Sequence, residues 1–268
     1  MCIKLSPLAI SIGLALLASQ TVSAAESETD SAELESITVT ASADASAEGL
    51  SPAHSGGQVA VGGRAGILGT LDHLDSPFSI TAYTNEFIQD RQARSVGDVL
   101  LNDPSVRVAR GFGNFQESYF IRGFVLSSDD IAYNGLYSLL PRQYIATELF
   151  ERVELLRGAS SFLTGASPSG GGIGGNVNLL PKRAPNEPLN RITVGTEHGQ
   201  QGLVSADIAR RFGEEKQFGV RVNTAYRDGG TAIDDEETQL GLFSVGLDWR
   251  GDRARLSADV GYQDNQLD

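Results

Sequence analysis

The chain has 268 residues, including 31 glycines and one each of Cys, Met and Trp. Its 21 Lys and Arg against 34 Asp and Glu leave a formal net charge of −13, which excludes the basic footprint that nucleic-acid binding needs. Hydrophobic residues make up 40%, too many for a disordered chain, yet no run reaches the ~18 apolar residues of a spanning helix. Residues 1–24 read as a secretory signal peptide. Lys4 supplies the positive start, LAISIGLALLA the apolar stretch and Val22-Ser23-Ala24 the small-residue cleavage site. Cleavage removes Cys2, so the mature chain is expected to lack disulfides, thiol nucleophiles and cysteine metal sites.

Residues 25–66 are rich in Ser, Ala, Gly and Glu and read as a flexible leader. Within it lies Glu35-Ser36-Ile37-Thr38-Val39-Thr40-Ala41, where Ile37 and Val39 alternate with Thr38 and Thr40, all strand formers. Such an island on a tether suits addition to another protein's sheet edge; composition alone leaves a chance β-prone run open. ESITVTA resembles the TonB box of TonB-dependent outer-membrane receptors. The resemblance implies that the leader is periplasmic and that Glu35–Ala41 engage the TonB complex of the inner membrane.

From Asp72 the pattern becomes globular. Phe78 to Tyr83 alternates as a strand, residues 85–93 suit a helix, and Ser95-Val96-Gly97-Asp98 has the form of a capping box. Val96, Val99 and Leu100 give that second helix an apolar face, and Pro104 ends it. Short strands are expected at 106–108, 119–123, 153–158 and 176–180, with a hairpin turn at Asn134-Gly135. Together these predict a small α+β domain over residues 67–185. The segments DSPFSITAYT, SVGDVLLNDPSVRV, YFIRGF and ERVELLRGASSFLTGASPSGGGIGGNVNLLPKRA, in this order and spacing, resemble the plug of the same receptor family. Gly170, Gly172 and Gly175 satisfy G-x-G-x-x-G, but no strand precedes the run and no helix follows. A tight backbone crossing is the better reading.

Residues 186–268 change period. Five segments alternate strictly: Ile192 to Thr196, Val204 to Ile208, Phe218 to Tyr226, Phe243 to Trp249 and Leu256 to Tyr262. Segments of about ten residues with a dyad pattern are the signature of a transmembrane β-barrel, although one-sided strands of a soluble sandwich alternate too. The loops favour the barrel. Residues 213–216 and 250–252 make short turns, while residues 228–237, with Asp234-Asp235-Glu236-Glu237, make a longer loop at the other end. The fold class expected is an α+β plug followed by the first antiparallel strands of a transmembrane barrel. The family closes a barrel of 22 strands, so the wall here is expected to be incomplete.

No catalytic set appears, and an enzyme is not expected. His54, His73 and His198 fall in three regions without metal-ligand spacing, and no cofactor is expected. The resemblance implies uptake of a ferric siderophore across the outer membrane of a Gram-negative cell, with iron held by the chelator. Partners would be the chelate, the TonB complex and outer-membrane lipid, with no nucleic acid. Apical loop residues Arg110, Phe112, Asn114, Phe115, Tyr137 and Arg142 are the candidate ligand contacts: cations suit an anionic chelate, aromatics its apolar arms. The alternative is that Phe112 and Phe115 pack into the plug and the arginines are solvated. Arg122 and Arg157 match plug arginines that, in the family, pair with glutamates on later barrel strands. Without those strands they are expected to be buried and unpaired. Haem or cobalamin chelates remain alternative ligands. A plug-only periplasmic binding protein and a non-functional receptor remnant are the readings outside transport.

Overall fold

The computed structural model describes residues 49–197, 201–231, 233–251 and 253–268; the signal-like segment and Glu35–Ala41 lie outside them. In chain order the first part holds β1 (Gly62–Arg64), β2 (Thr70–Asp72), β3 (Ser79–Thr84), α1 (Asn85–Asp90), α2 (Val96–Leu100) and β4 (Val106–Arg110). It continues with β5 (Ser118–Ile121), β6 (Phe124–Ser127), β7 (Ala132–Tyr133), β8 (Phe150–Arg157), α3 (Ser161–Thr164) and β9 (Gly175–Pro181). Five long strands follow: β10 (Leu189–Glu197), β11 (Gln201–Phe212), β12 (Phe218–Gly230), β13 (Glu237–Arg250) and β14 (Arg255–Leu267).

The plug is organised on a mixed sheet of order β3-β8-β9-β7. Its strands are antiparallel except for β7, which runs parallel to β9. Strand β8 is buried on both faces, as a central strand must be. Val153 and Leu155 join α1, α2 and β5 through Phe87, Ile88, Val99, Leu100 and Tyr119. Leu156 faces the other way, onto Ile80, Ala65 and Leu163. The capping box is present: Ser95 Oγ accepts from the Asp98 amide at 3.2 Å, and Asp98 Oδ2 accepts from the Ser95 amide at 3.0 Å. That reciprocal pair satisfies two amide donors that a helix start leaves open. At the Asn134-Gly135 turn both residues have positive φ, 50° and 86°, as the tight hairpin turn requires.

The five long strands form an antiparallel sheet in sequence order. Alternation sorts their side chains. Val194 pairs with Val204 and Val245 with Val260 on a face where Ile192, Val194, Phe243 and Val260 are exposed. The opposite face carries Asp207, Arg221, Asn223 and Asp248, all buried. Phe212, Phe218 and Trp249 are cross-strand neighbours at the end with the short turns. This is the apolar-outside, polar-inside distribution of a barrel wall.

Two expectations are corrected. The leader is not flexible as far as residue 66. Residues 53 and 60 form a bridge, Val59 bridges to Tyr83, and β1 pairs with β2. The small residues that suggested flexibility are there because neighbours approach closely: a Cβ on Gly62 would run into the Leu71 backbone carbonyl, and one on Gly63 would sit 2.7 Å from Ile80 Cγ2. Nor are the two arginines buried and unpaired. Arg122 is exposed, and Arg157 pairs within the plug with Asp103, while also donating to Thr81 Oγ1 at 2.7 Å and Ser79 Oγ at 3.0 Å. Asp103 sits two residues before Ser105 at the end of α2, and the β3–β8 pairing brings both hydroxyls alongside Arg157.

Candidate functional site

Strand β4 runs into a loop, residues 111–117, before β5 returns antiparallel to it. The loop presents Arg110, whose guanidinium lies 5.2 Å from the Phe115 ring centroid, with Phe115 exposed. Asn114 is exposed and folds its amide onto the Gly111 carbonyl at 3.1 Å. Phe112 is half-buried and packs edge-on against Tyr144, with centroids 5.1 Å apart. Arg142 belongs to the same cluster. It forms a 2.7 Å ion pair with Asp129, which also accepts from Gln116 of the loop at 3.1 Å. Its carbonyl accepts from the Glu117 amide at 2.8 Å.

This apex lies at the end of the wall that carries the longer β12–β13 loop. A Cβ on Gly113 would lie 3.2 Å from Leu267 Cδ2 at the end of β14. Phe112 and Tyr144 line a cavity of about 360 Å³ together with Arg227, Ile233 and Glu236. Beneath the loop, Glu117 is buried and accepts from Tyr119 Oη at 3.0 Å; burial pushes its carboxyl up to about 7.

Tyr137 goes elsewhere. Its hydroxyl donates to the Thr164 carbonyl at 3.3 Å and accepts from Asn176 Nδ2 at 3.1 Å. It lines a separate cavity of about 420 Å³ with Arg64, Asn134, Glu154 and Asn178. There Glu154 accepts from the Arg64 amide at 3.1 Å and from Asn178 at 2.9 Å, and burial raises its pKa. Of the six candidate contacts the structure therefore gathers five, Arg110, Phe112, Asn114, Phe115 and Arg142, and separates one.

Below the apex the plug is fastened to the wall by buried charges. Lys182 Nζ donates to Asp207 at 3.0 Å and to Asn223 Oδ1 at 3.0 Å. Arg221 grips the same Asp207 with two bonds of 2.8 Å and reaches Glu151 of β8 at 2.8 Å. Arg183 pairs with Asp259, and Arg211 donates to the Ala184 carbonyl at 2.8 Å while pairing with Asp248 at 2.6 Å. Burial lowers the Lys182 pKa, with Asp207 opposing the shift. Higher up, Arg227 of β12 reaches Glu148 at 2.8 Å.

The family model described as the TonB-dependent Receptor Plug Domain matches residues 72–172. Residues 72–172 thus form a plug domain of the TonB-dependent receptor type. A ferrichrome receptor of Yersinia enterocolitica, FcuA, is 49% identical over 219 residues, covering 82% of this chain and 29% of that protein. The ferripyoverdine receptor of Pseudomonas aeruginosa is 26% identical over 203 residues, 73% of this chain and 24% of its own length. The crystal structure of BauA, the ferric preacinetobactin receptor of Acinetobacter baumannii, superposes with a TM-score of 0.76 at 41% identity, covering 80% of this chain and 32% of that one. The chain thus spans under a third of the length of these relatives.

The residues that fasten this plug to the wall were not singled out from sequence. Their signal was present. Asp207, Arg221, Asp248 and Asp259 all fall on the second register of the alternating strands, and a charge there needs a partner inside the wall. The partners of Asp207 and Asp259, Lys182 and Arg183, lie where β9 leaves the plug.

Proposed function

We propose that this protein binds a ferric siderophore of the ferrichrome class at the plug apex and carries it through the outer membrane. Energy would come from the inner-membrane TonB complex engaging Glu35–Ala41. The observation that carries the reading is the apex itself: exposed Arg110 over Phe115, Phe112 and Asn114, and Arg142 on Asp129, at the longer-loop end of an amphipathic wall. Guanidinium groups suit an anionic or polar chelate surface, and aromatic rings suit its apolar parts. The name of the 49% identical relative, a ferrichrome receptor, favours this class. Iron stays with its chelator as cargo, and no bond in the ligand needs to break.

Uptake of radiolabelled ferrichrome by iron-starved cells expressing the protein tests the reading. Arg110→Ala and Phe115→Ala are expected to weaken binding about tenfold each, roughly the 1–2 kcal/mol of a cation–π or aromatic contact. Ile37→Pro removes a backbone donor needed for strand addition. It is expected to abolish uptake while leaving binding intact. Uptake that persists in the Ile37→Pro variant refutes the coupling, and wild-type cells that bind no ferrichrome refute the ligand.

A further inference from the structure

Tyr144 stands between the apex and the wall without belonging to either. Its ring packs against Phe112 at 5.1 Å, edge to face. Its hydroxyl accepts from Arg227 Nη1 at 3.1 Å, and the same guanidinium donates to Glu148 Oε1 at 2.8 Å through Nη2. Arg227 projects from β12 and is 5% exposed, so the link is shielded from solvent. The Tyr144 carbonyl accepts from Gln263 Nε2 of β14 at 2.8 Å. One plug residue is therefore tied to two wall strands by its polar atoms and to the apex loop by its ring. Two residues earlier, the Arg142 carbonyl accepts from Glu117 at the base of that loop. The base of the loop is anchored by Gln116 on Asp129 and by the buried Glu117, but its tip has few anchors of its own. Gly111, Gly113 and the exposed Asn114 and Phe115 contribute little packing, and Phe112 is its half-buried side chain facing the wall.

We propose that Tyr144 is a positioning residue, held by Arg227 and Gln263, which sets the place of Phe112 and so of the whole ligand-contacting loop. This rests on the apex reading above. It adds that affinity at the apex depends on a residue that does not touch the ligand, and that strands β12 and β14 report on the loop through it. Without the ring, Phe112 loses its partner and residues 111–117 become free to open locally. Without only the hydroxyl, the ring stays but its register on Arg227 loosens.

The test uses the protein purified from outer membranes in detergent, with two measurements. The first is hydrogen exchange of the Glu117 amide, which the Arg142 carbonyl holds within segment 111–117, without ligand. Tyr144→Ala is expected to speed it at least tenfold and Tyr144→Phe two- to threefold, while residues 175–181 and 218–230 change less than twofold. The second is ferrichrome affinity. Tyr144→Ala is expected to weaken it about tenfold, and in a Phe112→Ala background by no more than twofold, because the tyrosine acts through that ring. A purely structural role would move exchange in 175–181 and would add its cost to that of Phe112→Ala. Unchanged exchange of the Glu117 amide, or faster exchange with unchanged affinity, or additive losses, each overturns the proposal. Faster exchange confined to the loop, in a protein that binds no ferrichrome, supports the positioning role and refutes the ligand class alone.

Discussion

Replacing Arg157 by Leu tests the energetics inside the plug. Asp103 is 2% exposed and Arg157 19% exposed, and the carboxylate also accepts from the Ser105 amide at 2.8 Å and its hydroxyl at 2.6 Å. Removing one partner of a buried pair costs roughly 3–5 kcal/mol, because the other charge stays buried. The partial exposure of Arg157 screens the pair, and Ser105 continues to hold Asp103, so the lower end, about 3 kcal/mol, is expected. That corresponds to about a hundredfold faster amide exchange across β3 and β8 when exchange follows local opening. Burial alone would raise the Asp103 pKa, but hydrogen bonds from Arg157 and Ser105 outweigh it and hold it below the usual range. Its stabilising contribution is therefore present above the unfolded carboxylate's pKa and lost as the pH falls through the folded value. Wild type and Arg157→Leu should converge on acidification. Adding Asp103→Asn to Arg157→Leu, which removes the stranded charge and keeps an acceptor for Ser105, should recover at least half of the loss. Arg122→Leu, at an exposed site, should cost under ~0.5 kcal/mol. Unchanged or slower exchange in Arg157→Leu, or an equal cost for Arg122→Leu, would refute a stabilising Arg157–Asp103 pair.

In the wall, Asp207→Asn should cost far more than Lys182→Met. The first leaves two buried cations facing a neutral amide, about 3–5 kcal/mol, whereas the second removes a cation already disfavoured by burial and leaves Arg221 between Asp207 and Glu151, about 1 kcal/mol. Urea midpoints read from Trp249 fluorescence would show the order, and equal costs would contradict it. Glu117, pushed up to about 7 by burial, contributes stability that is fully present below the unfolded pKa near 4.5 and is lost as the pH rises through 7. The plug should lose about 3 kcal/mol between pH 4.5 and 8 from this group, and Glu117→Gln should flatten that slope in exchange measurements on β5. Ser95→Ala should cost about 1 kcal/mol, seen as faster exchange confined to α2; a loss spread over β8 and β9 would show that the capping pair does more than start the helix.

Much of the fold was legible because local chemistry and tertiary packing agree. Ser95 and Asp98 cap a helix whose Val96, Val99 and Leu100 are buried, and the alternating runs from Ile192 onward became β10 to β14. The misread leader shows where the two diverge. Gly62, Gly63 and Ala65 read as flexible by composition, but they are small because β1 lies against β2 and Ile80. Glycine carries no mark that separates freedom from close approach. The wall charges show a second limit. That Asp207 must face inward follows from period two, but that it meets Lys182, 25 residues earlier, follows only from where β9 ends and how β11 is registered.

The candidate contacts divide on the same principle. Arg110, Phe112, Asn114 and Phe115 fall in one loop between paired strands, so strand pairing alone brings them together. Tyr137 and Arg142 were joined to them by loop membership, and there direction decides. The Asn134-Gly135 turn folds Leu136 back onto Tyr133, which lies beside β9, and this returns Tyr137 to Asn176 and Thr164. Five residues later the chain has left that side, and the Arg142 carbonyl accepts from both Glu117 and Ser128 Oγ at the base of the apex loop. A two-residue turn fixes the reversal but not which neighbour the returning strand meets, because that depends on the register of β7 against β9. Tyr144, two residues beyond Arg142, meets Phe112 through contacts with Arg227 and Gln263 of the wall, so the residue with the greatest expected leverage over the apex carried no signal in the sequence beyond being aromatic.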